Sequence, residues 1–152
     1  PHARPGDRVL SEGDLVVCDM GALYKGYRSD MTRSTRIGGT GTGKPAEMLE
    51  IVLEAQKAGL ATVKEGIKNA EVDSACREVL KQAGMEEAFT HGTGHGVGLE
   101  IHEFPRINNR SEDVLEEGMV ITVEPGVYLQ ESFGVRWEDL LLVTADGVEF
   151  LT

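Results

Sequence analysis

Apolar and polar positions change period several times along this chain, and each change marks an element. Leu15 to Met20 (Leu-Val-Val-Cys-Asp-Met) is short, apolar and β-branched, which predicts a strand. Gly21 to Gly26 reads as a turn region, and Tyr27 to Arg36 alternates well enough for the return strand. Together they predict a hairpin centred near Tyr24 and Lys25, which would set Asp19 and Asp30 side by side on one face. A second hairpin is expected near the end of the chain. Val120 to Glu124 is a strand stopped by Pro125-Gly126, and Val127 to Leu129 continues it past a bulge. Gly134 to Glu138 and Leu140 to Thr144 form the return. Glu124 and Glu138 then straddle a turn centred near Glu131.

Between the hairpins the period lengthens. Pro45 to Lys64 carries Leu49, Val52, Leu53, Leu60 and Val63 at helical spacing, with Pro45 suited to the first turn and Gly66 as the stop. Ala70 to Ala83 predicts a second helix, with Val72, Ala75, Cys76, Val79 and Leu80 facing inward and Gly84 ending it. Gly38 to Lys44 is a flexible connection. Its likeness to a phosphate loop fails because Pro45 follows Lys44. His91 to Gly98 has glycine at every second position, so it forms no stable helix. In an extended chain His91 and His95 point the same way, and His102 follows after a bend. Helices set between antiparallel hairpins imply an α+β layer fold. A single domain over residues 1–152 is expected.

Composition adds exclusions. The formal charge of −11 argues against nucleic acid, which needs a basic face. No segment approaches the length of a membrane span. Two cysteines, Cys18 and Cys76, are too few for a disulfide framework and suit buried thiols in a reducing cytoplasm. The chain opens Pro1-His2-Ala3-Arg4-Pro5-Gly6 as if in mid-domain, so a longer parent is expected.

The chemistry lies in charges placed where surface charge is not expected. Asp19 follows Leu-Val-Val-Cys, where an unpaired carboxylate would be costly. Taken singly, Asp19, Asp30, Glu138 and His95 each admit an ordinary structural reading. Two carboxylates per hairpin plus a histidine in a glycine-rich stretch do not. Such a set could hold two divalent ions, and oxygen-rich coordination with one imidazole favours Mn, Co, Fe or Zn. Paired metals activate water and polarise a carbonyl, which points to hydrolysis. Arg136 shares the face of Glu138 two residues on, and Thr32 stands two beyond Asp30. Each could orient a ligating carboxylate from behind. Cys18 alternates away from Asp19.

Asp-Met-Gly, Tyr-Arg-Ser-Asp-Met-Thr-Arg, His-Gly-Thr-Gly-His-Gly-Val-Gly-Leu-Glu-Ile-His-Glu, Val-Glu-Pro-Gly-Val-Tyr and Val-Arg-Trp-Glu-Asp occur in that order. The set resembles the pita-bread metallopeptidases. Within them it looks like the proline-specific branch of Xaa-Pro dipeptidase (prolidase) and aminopeptidase P. The resemblance implies a pita-bread fold, a curved antiparallel sheet with helices on its outer face, here N-terminally incomplete as the C-terminal part of a longer peptidase. It implies that Asp19, Asp30, His95, Glu124 and Glu138 bind two metals, with Asp30 and Glu138 bridging. Glu124 doubles as proton shuttle for the hydroxide held between them. His91 and His102 match catalytic, substrate-side histidines, and His2 matches a further substrate-binding one. The implied substrate is a peptide with proline second, and the implied parent is a homodimer. Trp137, Leu140 and Met20 depart from the usual pattern without removing a ligand, and Trp137 should face away from the metals. Methionine aminopeptidase shares the ligands and is the nearest alternative. A non-catalytic binding module and a metal-free amidinohydrolase of the same fold are the others.

Overall fold

The computed structural model describes residues 4–39, 42–130 and 132–152. The chain opens with β1 (Leu15–Met20), β2 (Leu23–Tyr24), β3 (Tyr27–Arg28) and β4 (Met31–Arg36). Helices α1 (Lys44–Thr62) and α2 (Asn69–Gln82) follow, then a 3-10 turn at Glu86–Ala88. The remainder is strand: β5 (Gly94–Gly96), β6 (Glu103–Ile107), β7 (Val120–Val123), β8 (Gly126–Leu129), β9 (Phe133–Arg136), β10 (Asp139–Val143) and β11 (Val148–Phe150). Five of these strands make one antiparallel sheet in the order β11-β10-β7-β5-β6, with β1-β4, β2-β3 and β8-β9 as two-stranded ribbons. An isolated bridge between Thr32 and Glu138 ties the first ribbon to the end of the second.

The first hairpin folds one residue later than its pattern suggested. Its tight turn is Lys25-Gly26, with φ of 49° and 91°, so Tyr24 pairs with Tyr27. That register carries through to Asp19 opposite Thr32 and Met20 opposite Met31. Asp19 and Asp30 are therefore not a cross-strand pair. The return strand is also broken. Ser29 and Asp30 leave the ladder, because Gly21 packs directly on the Ser29 carbonyl, where any Cβ would overlap it. The Ala22 amide is capped by Ser29 Oγ at 3.0 Å. The second hairpin keeps the expected register. Val123 pairs with Asp139 and Gly126 with Arg136, which sets Glu124 and Glu138 at matching heights. Its turn centre, Glu131, lies outside the described residues.

Both helices are present; α2 turns inward the side expected of it, while the buried side of α1 is broader than its large apolar residues. Met48, Val52, Ala55, Gln56 and Gly59 form the buried side of α1, while Leu49, Leu53 and Leu60 are only part-buried. Gly59 decides this. A Cβ there would stand 2.5 Å from Cys76 Sγ and 3.2 Å from Val123 Cγ1, so the helix approaches both α2 and the sheet at that point. The buried side of α2 includes Asn69 and Asp73 beside Val72, Cys76 and Leu80. Helices and sheet close over one core that runs from Met48 and Val52 through Ile107, Leu115, Ile121, Val123 and Leu141.

Candidate metal centre

Strand β5 explains its own glycines. A Cβ on Gly94 would overlap the Thr122 carbonyl, and one on Gly96 would overlap that of Phe104. The neighbouring strands can close on β5 only because these positions are bare, and His95 projects between them. Its Nδ1 lies 3.0 Å from the Gly96 carbonyl, an obligate acceptor, so Nδ1 carries the proton. Nε2 is left facing Glu124 Oε1 at 3.3 Å and Asp30 Oδ2 at 3.8 Å. Asp30, His95 and Glu138 each present a ligand atom within 4.8 Å of the other two, and all three are buried.

The remaining predicted residues group around this triad. Glu124 adjoins it through His95 and is held at 3.4 Å by Thr122 Oγ1. Asp19 lies outside it, half-exposed, and is tied in through Arg136 Nη2 at 2.6 Å. Arg136 is buried and spends its donors deliberately: Nε to Thr32 Oγ1 at 3.1 Å, Nη1 to Tyr128 Oη at 3.1 Å. Thr32 then donates to Glu138 Oε2 at 2.6 Å. His102 is exposed, yet its ring packs edge-on against His95 with centroids 4.3 Å apart. His91 has both nitrogens engaged, Nδ1 with the Gly92 carbonyl at 2.7 Å and Nε2 with Tyr128 Oη at 2.9 Å. His2 lies outside the described residues. Trp137 packs against the core with the Arg33 guanidinium 4.7 Å over its ring.

Crowding leaves an electrostatic signature. Burial first, then the Asp19 charge, pushes the Asp30 carboxyl up to about 6. Burial and the Glu124 charge push Glu138 up as well. Burial pulls His95 down, but Glu124, the Gly96 carbonyl and the charge on Glu138 outweigh it and its pKa is raised. Burial lowers His91. These are negative groups packed with too little positive charge between them. The donor set, carboxylate oxygens with one imidazole nitrogen, fits a borderline-hard divalent cation. A cavity of about 260 Å³ opens beside it, lined by His91, His95, His102, Arg106, Glu124 and Arg136 among others.

Several participants were given no role from the sequence, although Tyr128, Arg33 and Asp139 lie inside the motifs quoted for the resemblance. Tyr128 bridges His91 and Arg136, and Arg106 lines the cavity. Asp139 accepts from Arg33 and from Gln56 Nε2, and Arg33 also holds the Glu138 carbonyl. The signal available was adjacency, since Arg33 follows Thr32 and Asp139 follows Glu138.

An antiparallel sheet backed by two helices, with carboxylates from two ribbons meeting one sheet histidine, defines a pita-bread peptidase domain. The chain belongs to metallopeptidase family M24, whose pattern matches residues 1–145. It is 51% identical over its whole length to an Xaa-Pro dipeptidase of Pyrococcus furiosus, of which it spans 43%. The prolidase structure from that organism superposes with a TM-score of 0.97 at 50% identity, covering all of this chain and 45% of that one. An X-Pro aminopeptidase from Thermotoga maritima superposes at 0.96 with 42% identity, covering all of this chain and 43% of the other. The chain thus spans under half the length of these relatives.

Proposed function

We propose that this chain is the catalytic portion of an exopeptidase that cleaves the bond between an N-terminal residue and proline, using two divalent ions. The single observation that supports this most is the meeting of Asp30, His95 and Glu138 within 4.8 Å, with Glu124 at 3.3 Å from His95 Nε2. Asp19, Asp30, His95, Glu124 and Glu138 would hold the ions, and the donor set suits Mn, Co, Fe or Zn. Bound there, such ions would supply Lewis acidity, making water nucleophilic near neutral pH and polarising the scissile carbonyl. The protein's share is positional. Glu124 borders the cavity, where a carboxylate can take a proton from water and pass it to the leaving proline nitrogen. His102, its ring against His95, would turn a donor to the carbonyl oxygen as that oxygen gains charge. His91 meets substrate with its ring, since neither nitrogen is free. Arg106 is the lining cation not tied to a metal-site carboxylate among the described residues, so it suits the free carboxylate of a dipeptide.

The names of the relatives favour the proline branch over methionine aminopeptidase. The test uses the intact parent protein. Ala-Pro, a longer Ala-Pro peptide and a Met-Ala peptide are offered with Mn, and again after chelation. Chelator-sensitive cleavage of Ala-Pro ahead of Met-Ala supports the reading, and faster turnover of Met-Ala overturns it. Preference between the dipeptide and the longer peptide tests the assignment of Arg106.

A further inference from the structure

A charge pair on α2 fixes the backbone on both sides of His91. Asp73 is fully buried and accepts Arg77 Nε at 2.7 Å. Its other oxygen accepts the Thr93 amide at 3.1 Å and Thr93 Oγ1 at 2.8 Å. Arg77 in turn donates to the Phe89 carbonyl at 3.2 Å and the His91 carbonyl at 2.6 Å. Its guanidinium also lies 4.3 Å over the Phe89 ring, and that ring meets the His91 imidazole edge-on at 4.9 Å. The chain from Phe89 to Thr93 is thus gripped before, at and after the histidine. The grip continues inward, because the Thr93 carbonyl accepts the Glu124 amide at 2.7 Å.

A buried ion pair is a poor device for stability alone, since desolvation offsets much of its attraction. Here the hydrogen-bond partners outside the pair, Phe89, His91 and Thr93, all lie in one loop. We propose that Asp73 and Arg77 are positioning residues for the reaction. They set the orientation of the His91 ring and, through Thr93, the height of the Glu124 carboxylate above the cavity. This rests on the peptidase reading for its kinetic consequence, but not for its geometric one. Misplacing a catalytic group by about an ångström can cost about 100-fold in rate. Outer partners that orient metal ligands typically carry about 10- to 100-fold in activity.

The test compares Arg77→Met, Arg77→Lys and Thr93→Val in the metal-loaded parent protein. Thr93→Val keeps the backbone amide and removes only the hydroxyl donor to Asp73, so it should fold even if Arg77→Met does not. Expected for Arg77→Met is a drop in kcat of about 10- to 100-fold with KM changed less than about threefold, and partial rescue by Arg77→Lys. Thr93→Val should lower kcat in the same sense by about tenfold or less. Amide hydrogen exchange at Thr93 and Glu124 should accelerate in both Arg77→Met and Thr93→Val while α1 amides stay protected. Unchanged exchange at Glu124 in Thr93→Val, or wild-type kcat in a folded Arg77→Met, overturns the proposal. If the wild-type parent cleaves no Xaa-Pro peptide, the peptidase reading fails, and the exchange result still decides whether the clamp exists.

Discussion

Thr32 Oγ1 donates to Glu138 Oε2 at 2.6 Å while its own backbone carbonyl accepts the Glu138 amide at 3.1 Å. Two bonds between one pair of residues fix a carboxylate in position and in rotation. Because Arg136 Nε already donates to the same hydroxyl, the hydroxyl proton has only one direction left to point.

Removing that hydroxyl should therefore cost more than one hydrogen bond. Thr32→Val keeps the shape but leaves Arg136 Nε and a Glu138 oxygen buried without it. A loss of about 1–3 kcal/mol in unfolding free energy is expected by urea denaturation, with Thr32→Ser close to wild type. Metal affinity measured by titration calorimetry should fall about tenfold.

Asp30 gives a pH dependence with a definite sign. Its folded pKa is raised to about 6 from 3.8, so the folded state holds that proton more tightly than the unfolded chain. Metal-free stability contributed at this site is therefore greatest below about pH 4 and is lost as pH rises towards 6. Asp30→Asn should remove that slope. Subtracting the two urea-derived stability profiles between pH 4 and 7 isolates it, and a difference that rises with pH in favour of the wild type would contradict the assignment. A saturating divalent cation should abolish the slope in the wild type by competing with the proton.

Asp139 stands next to a proposed ligand but faces the opposite way, between Arg33 and Gln56. Asp139→Ala strands a guanidinium and an amide in the part-buried interior. Destabilisation of about 3 kcal/mol is expected in thermal unfolding, and Asp139→Asn should recover part of it.

Gly94→Ala should be among the most damaging small changes in the chain. The added Cβ would overlap the Thr122 carbonyl, so β5 and β7 must separate. A loss at or above about 3 kcal/mol is expected, against less than about 0.5 kcal/mol for Gly6→Ala, where nothing lies within 4 Å. Circular dichroism melts of the two variants provide the comparison.

Much of this architecture was legible in the residue pattern. The runs 15–20 and 120–123, the two helices and the glycine-alternating histidine segment all occur where their periods place them. The register of the second hairpin was readable because Pro125-Gly126 and the apolar alternation around it pin the pairing. The first hairpin was misjudged by one residue at its fold point. Lys25 adopts φ of 49°, which its side chain does not advertise, and the pairing of Asp19 moved from Asp30 to Thr32. The inward side of α1 was read only in part: Val52 and Val63 are core and Leu49 and Leu60 pack against it, but the tightest contact was not foreseen. Large apolar residues draw attention, whereas a bare position, Gly59, meets Cys76 and Val123 and its neighbour a turn earlier, Ala55, is buried. Tyr128 lies in a quoted motif without a role attached, and Arg106, Asp73 and Arg77 gave no sign of their contacts, because these depend on what α2, β6 and β8 bring together.

Arg136 also sets the charge state that an arriving ion would meet. Once ionised, as ligation requires, the four carboxylates against one guanidinium sum to three units negative; without ions, the raised Asp30 and Glu138 hold protons that offset part of that charge. A first dication would lower that to one unit negative, and a second would tip it to one unit positive. The resident guanidinium would thus make the doubly loaded pit an electron-withdrawing one, drawn to anionic ends and hostile to further cations. With a neutral side chain in its place, the same two ions would only balance the acids around them.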